Sequence, residues 1–129
     1  MPMIDRAFLK QTIDKISSIE NLQMDPKHLV LEILALSAIF TDVPRFEKVV
    51  NSVINAIDSL LNNPSIGEDL EHNLVEWKSY HFSSPYPTYP KEEDMRMVYQ
   101  SQSGPSILIL AFGHRYIPTD FYKRFTNRM

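Results

Sequence analysis

Met95-Arg96-Met97-Val98-Tyr99, then Ser101-Gln102-Ser103-Gly104-Pro105, then the run from Ile107 to Phe112 decide the fold. The first piece alternates in size and polarity, the second supplies turn residues, and the third is β-branched, aromatic and apolar. Two extended arms around a Gly-Pro turn read as a β-hairpin, because strand side chains alternate between faces and turns need glycine's freedom. The second arm has no polar side, so it is expected to be buried on both faces and central in its sheet, with Gly113 ending it.

Upstream of the hairpin, residues 83–90 hold three prolines, which excludes both helix and central strand. An exposed connecting loop accounts for them more simply than a polyproline-type ligand motif. Before that loop the period changes to that of helices. Phe46, Val49, Val50, Val53, Ile54, Ile57, Leu60 and Leu61 form a wide apolar stripe, preceded by Thr41 or Asp42 as cap with Pro44 just inside. Asn62-Asn63-Pro64 stops it.

Leu29, Ile33, Leu36 and Phe40 predict a second helix, opened by Asp25 as N-cap and Pro26 in the first turn. A buried strand within Leu29–Leu36 competes, since short apolar runs fit both. Phe8, Leu9, Ile13, Ile16 and Ile19 predict a first helix over residues 3–20. The tail from Pro118 to Phe125 fits a short helix or an edge strand equally. The expectation is an α+β domain spanning residues 1–129, N-terminal helices packed on a small antiparallel sheet.

The composition agrees with one globular domain: 129 residues, 43% hydrophobic and 22% charged. With no cysteine, disulfides, thiolate zinc sites and a Cys nucleophile are excluded. No run approaches the roughly 20 apolar residues of a membrane span, and Asp5 with no apolar leader gives no export signal, so a cytoplasmic protein without membrane partners is expected. The net charge of −3 is unevenly spread. Residues 1–77 carry 6 Lys and Arg against 12 Asp and Glu, whereas residues 78–129 carry 7 against 4. An anionic partner would therefore meet the C-terminal half.

The four histidines, His28, His72, His81 and His114, lack metal-ligand spacing, and three glycines are too few for a phosphate-binding loop. Neither a metal nor an organic cofactor is expected. What remains is a set of Arg, His, Lys and Tyr around the hairpin: Arg96 within the first arm, His114 and Arg115 after the second, then Tyr122, Lys123 and Arg124, with Lys78 and His81 ahead of the proline-rich loop. Counted outward from Gly104, Arg96 and His114 both lie about nine residues away, which makes them cross-strand neighbours expected on one open face.

Such groups suit metal-independent RNA cleavage: Arg or Lys stabilises charge on a scissile phosphate, His moves protons near neutral pH, and Tyr stacks on a base. On residue types alone the plainer reading has the larger share. A strand arginine is more often a solvated charge partner, and a histidine after a strand more often a turn residue. The acidic run Glu92-Glu93-Asp94 ahead of Arg96 opposes a phosphate.

Three pieces in order, Ile57 to Pro64, Met95 to Tyr99 and Ile109 to Arg115, followed by Asp120-Phe121-Tyr122-Lys123, resemble the RelE/ParE superfamily of bacterial toxin–antitoxin toxins over about residues 46–125. The resemblance implies a RelE-like toxin fold for residues 43–129, with residues 1–42 as an added helical region. It implies a ribosome-dependent mRNA endonuclease whose catalytic residues are Arg96, His114, Arg115 and Tyr122, with Lys78, His81, Lys123 and Arg124 binding substrate. Its partners would be an antitoxin protein and mRNA on the ribosome. The added N-terminal helices have three open roles: covering the site, replacing the strand with which family toxins begin, or making a homodimer contact. The alternative on the same fold is a non-catalytic interaction module, a ParE-like gyrase inhibitor or a degenerate phage or plasmid protein.

Overall fold

Each helix begins at an aspartate. In a computed structural model that describes residues 4–70, 76–86, 93–114, 126 and 128, α1 (Arg6–Ser17) opens on Asp5, which accepts the Phe8 N–H at 2.8 Å. Helix α2 (Pro26–Ile39) opens on Asp25, which accepts the Lys27 N–H at 2.8 Å, with Pro26 where its missing N–H costs nothing. Helix α3 (Val43–Asn62) opens on Asp42, not Thr41; its carboxylate accepts the Arg45 N–H at 2.9 Å. Bonds from the Arg45 backbone and guanidinium hold the Asp42 carboxyl below the usual carboxylate range. Residues 29–36 are helical, which settles the alternative left open by their apolar run.

The sheet has five strands: β1 (Leu22–Met24), β2 (Glu68–Asp69), β3 (Lys78–Phe82), β4 (Met95–Ser101) and β5 (Ile107–His114). Their order is β1-β5-β4-β3-β2. All neighbours are antiparallel except β1 and β5, which run parallel from Leu22↔Ile107 to Met24↔Ile109. The sheet is therefore mixed rather than purely antiparallel. Strand β1 is not anticipated from the sequence, because three residues between two helices show no period. The chain reaches it through Asn21, whose φ of 71° is the left-handed conformation that Asn tolerates better than most residues.

Met95, Met97, Tyr99, Ile107, Ile109 and Phe112 pack with Ile16, Ile33, Phe46, Val53 and Ile57 into one core, so the three helices cover one face of the sheet. On the other face Val98, Leu110 and Ala111 pack against Leu70 and Trp77. The expected double burial of β5 is thus realised. Where β1 ends, the exposed edge of β5 is closed by side chains. The Phe112 N–H donates to the Glu32 carboxylate at 2.8 Å, and Arg128 Nη1 donates to the Leu110 carbonyl at 3.1 Å. Arg128 Nη2 lies 3.3 Å from Glu32 Oε1, joining both caps in one pair.

Tyr99 ties the end of α3 to this core. Its hydroxyl donates to the Pro64 carbonyl at 2.7 Å and accepts the Gly67 N–H at 3.0 Å. A Cβ at position 67 would stand 2.6 Å from that hydroxyl, so only glycine fits. Burial raises the Tyr99 phenol above its ordinary 10.0. Above that pH the unfolded chain loses the proton that the folded chain still holds, so stability is intact below about pH 10 and falls as pH rises further. Thermal unfolding between about pH 9 and about pH 11 should show a steeper loss for wild type than for Tyr99→Phe; parallel curves would contradict it.

Candidate functional site

The pairings at the open end of the hairpin fix where the basic groups stand. Arg96 lies opposite His81 on β3 and opposite Gly113 on β5, while His114 lies opposite Met95. Directly opposed residues share a face and successive residues alternate. Arg96 and His81 therefore belong to the face away from the helices, and His114, with Met95, to the face beneath them. The expected meeting of Arg96 and His114 on one face does not occur.

A β-bulge between Val98 and Tyr99 is the cause. On the turn side the register runs Ser101↔Ile107, Gln100↔Leu108, Tyr99↔Ile109; past the bulge it runs Val98↔Ala111, Met97↔Phe112, Arg96↔Gly113. Continued without the bulge, the turn-side register would set Arg96 against Phe112 and on the same face as His114. One extra residue exchanges the faces of everything beyond it. Leu110 and Ala111, the doubled residues, both pack beside Val98 on the outer face.

Both groups are also enclosed: Arg96 is 5% exposed and His114 6%. The His114 ring lies 6.4 Å from the ring of Phe40, at the end of α2, and its Nε2 stands 3.6 Å from Asp94 Oδ2. Asp94, 1% exposed, accepts the Ser84 N–H at 2.7 Å and the Ser84 Oγ–H at 2.6 Å. Ser84 Oγ in turn accepts the Tyr86 N–H at 3.1 Å. In a nucleophilic Ser-His-Asp arrangement the imidazole stands between serine and carboxylate. Here the carboxylate stands between the other two, and the serine hydrogen is spent on it. The cluster is a clamp holding residues 84–86 to the ends of β4 and β5.

Asp94 is thus no part of a solvated acidic run, and its charge is directed at Ser84 and His114. Nothing in the sequence pattern separates it from Glu92 and Glu93. The same holds for Glu32, which reads as a mere interruption of an apolar run and proves to be a cap of β5.

Lys78 lies opposite Tyr99, on the helix-facing side rather than with Arg96 and His81. Its Nζ is 2.6 Å from Asp69 Oδ1 at an exposed site, and this bond raises the ammonium above its ordinary value. Arg115, Tyr122, Lys123 and Arg124 lie outside the described residues, as does the tail 118–125. Of the eight expected site residues, His81 and Arg96 are the pair that the described residues bring side by side. Among the described residues no three His, Asp or Glu side chains come together as a metal-binding group, and no helix is long and apolar enough to cross a membrane.

No protein-family model matches the sequence, and no curated protein matches it. Among solved structures, the chain is similar to the solution structure of a conserved hypothetical protein, HP0892, from Helicobacter pylori. The TM-score is 0.42 and the identity 17%, over 76% of this chain and 97% of that one. A likeness of that degree carries no functional argument.

Proposed function

We propose that this chain works as a non-catalytic interaction module on its α+β fold, binding a partner protein of antitoxin type rather than cutting RNA. The observation that supports this reading is the separation of Arg96 and His114 onto opposite faces, both more than nine-tenths buried. A phosphate must be touched by its stabilising cation and its proton carrier together. Two groups separated by a sheet do not provide that.

One specific pair favours a second reading, the endonuclease. His81 and Arg96 are direct cross-strand neighbours, and the position opposite Arg96 on its other side is Gly113, which adds no side chain. In that reading Arg96 holds the scissile phosphate and His81 carries the proton. Arg115, Tyr122, Lys123 and Arg124 then supply the basic and aromatic surroundings that the RelE/ParE resemblance implies.

Induction in a bacterial host, with translated mRNA mapped for new 5′ ends, separates the two. The module reading expects folded protein to accumulate with no new cleavage, and expects co-expression with the product of an adjacent short gene to yield a stable complex. Cleavage that disappears in both Arg96→Ala and His81→Ala, with circular dichroism and melting unchanged, would establish the endonuclease instead.

A further inference from the structure

Strand β5 outlasts its neighbour. Strand β1 pairs with it from Ile107 to Ile109 and stops, while β5 runs on to His114. In the stretch beyond β1, the Leu110 carbonyl and the Phe112 N–H flank Ala111, and both are met by side chains from far along the chain. Arg128 donates to the carbonyl at 3.1 Å, and Glu32 accepts the N–H at 2.8 Å. The guanidinium stands where a neighbouring strand's N–H would stand, and the carboxylate where its carbonyl would. The two side chains lie 3.3 Å apart and are 8% and 0% exposed. Enclosing two charges adds little net stability, because the water each ion loses offsets much of their attraction, and an apolar pair of the same size would serve as well. An apolar pair would not occupy a backbone donor and a backbone acceptor.

The occupant of the edge so guarded follows from its own hydrogen-bonding groups. In an antiparallel pair, the residues that flank a non-hydrogen-bonded position exchange N–H and carbonyl bonds with the residues flanking the opposite position. With Ala111 of one copy opposite Ala111 of another, each Phe112 N–H meets the other copy's Leu110 carbonyl. The donor and acceptor that Glu32 and Arg128 cover are therefore complementary to themselves under a two-fold axis, as a symmetric dimer requires. The sequence favours the same pairing. Ile107 to Phe112 reads Ile-Leu-Ile-Leu-Ala-Phe, without charge, proline or glycine, which is the composition of strands that pair with their own copies; natural sheets guard such edges with charged side chains. We propose that Glu32 and Arg128 form a latch against self-association: with the latch closed the chain stays single, and with it open two copies pair antiparallel through residues 110–112 of β5. The pairing is short, because β1 holds the edge up to Ile109 and the strand ends at His114, so the open-latch dimer depends on concentration.

Arg128→Ala opens the latch but leaves the Glu32 charge enclosed, so a second variant, Glu32→Met with Arg128→Met, opens it without leaving an ion behind. In sedimentation both should move with concentration from the 15.0 kDa chain mass toward twice that value, and wild type should not. The chain has no cysteine, and Ala111→Cys marks the two-fold axis. Opposed Cα atoms there stand about 4.5 Å apart, within disulfide reach, so under mild oxidation this cysteine should link copies at least about tenfold faster in either open-latch variant than in wild type. Variants that stay at 15.0 kDa would overturn the proposal, even if they take up an added peptide of residues 107–112. A dimer in which this cysteine fails to link would overturn it too, as would linking in wild type as fast as in the variants. If Arg128→Ala does not fold, the double variant decides, and the wild-type arm needs no variant of the latch.

Discussion

Asp94→Ala should lower the stability of the domain by about 2–5 kcal/mol, a drop in melting temperature on the order of 10 °C. The carboxylate is 1% exposed and serves as acceptor for the Ser84 N–H and hydroxyl, with His114 Nε2 at 3.6 Å. Removing it leaves a buried N–H and hydroxyl without their acceptor and takes away the carboxylate that stands beside the enclosed His114 ring. Each loss costs more than the bond contributed, because nothing replaces the water left behind on folding. Asp94→Asn keeps one carbonyl oxygen for the Ser84 N–H and should lose roughly half as much. Equal melting temperatures for wild type and Asp94→Ala in differential scanning calorimetry would show that the clamp is not formed.

Glu32→Ala should be comparably damaging, about 3–5 kcal/mol, through a different element. Glu32 is fully buried on α2, where it accepts the Phe112 N–H at 2.8 Å and faces Arg128 at 3.3 Å. Without it the edge of β5 past Met24 loses its cap, and a guanidinium whose side chain is 8% exposed loses its counter-charge. Glu32→Gln retains an acceptor for Phe112 but no charge for Arg128, so it should fall between alanine and wild type. Amide exchange distinguishes this from general loosening: the Phe112 N–H should lose protection in Glu32→Ala well beyond the fall in global stability, and equal losses would contradict the assignment.

These two carboxylates mark the limit of what the sequence discloses. The helices were legible because their signals are local: apolar spacing, Asp-Pro openings and the Asn-Pro stop all act within a turn or two. The hairpin was legible for the same reason, from its Gly-Pro turn and β-branched arm. Strand β1 is too short for a period, and its pairing with β5 spans more than 80 residues of chain. The candidate site failed at one point. Counting outward from Gly104 assumes an unbroken register, whereas the bulge at Val98/Tyr99 inserts one residue and moves Arg96 to the face opposite His114. Leu110 and Ala111 carry no sign of it, since a bulge of two apolar residues keeps the same composition as a regular strand. His81 opposite Arg96 was equally hidden, because the offset between β3 and β4 depends on the long connection between them.

What Arg96 can do therefore depends on which residue opposes it, and cross-strand backbone NOEs in the protein test that directly. The register described here predicts contacts of Arg96 with Gly113 and of Met95 with His114, alongside Tyr99 with Ile109. Contacts of Arg96 with Phe112 would remove the bulge, return Arg96 and His114 to one face, and contradict the account.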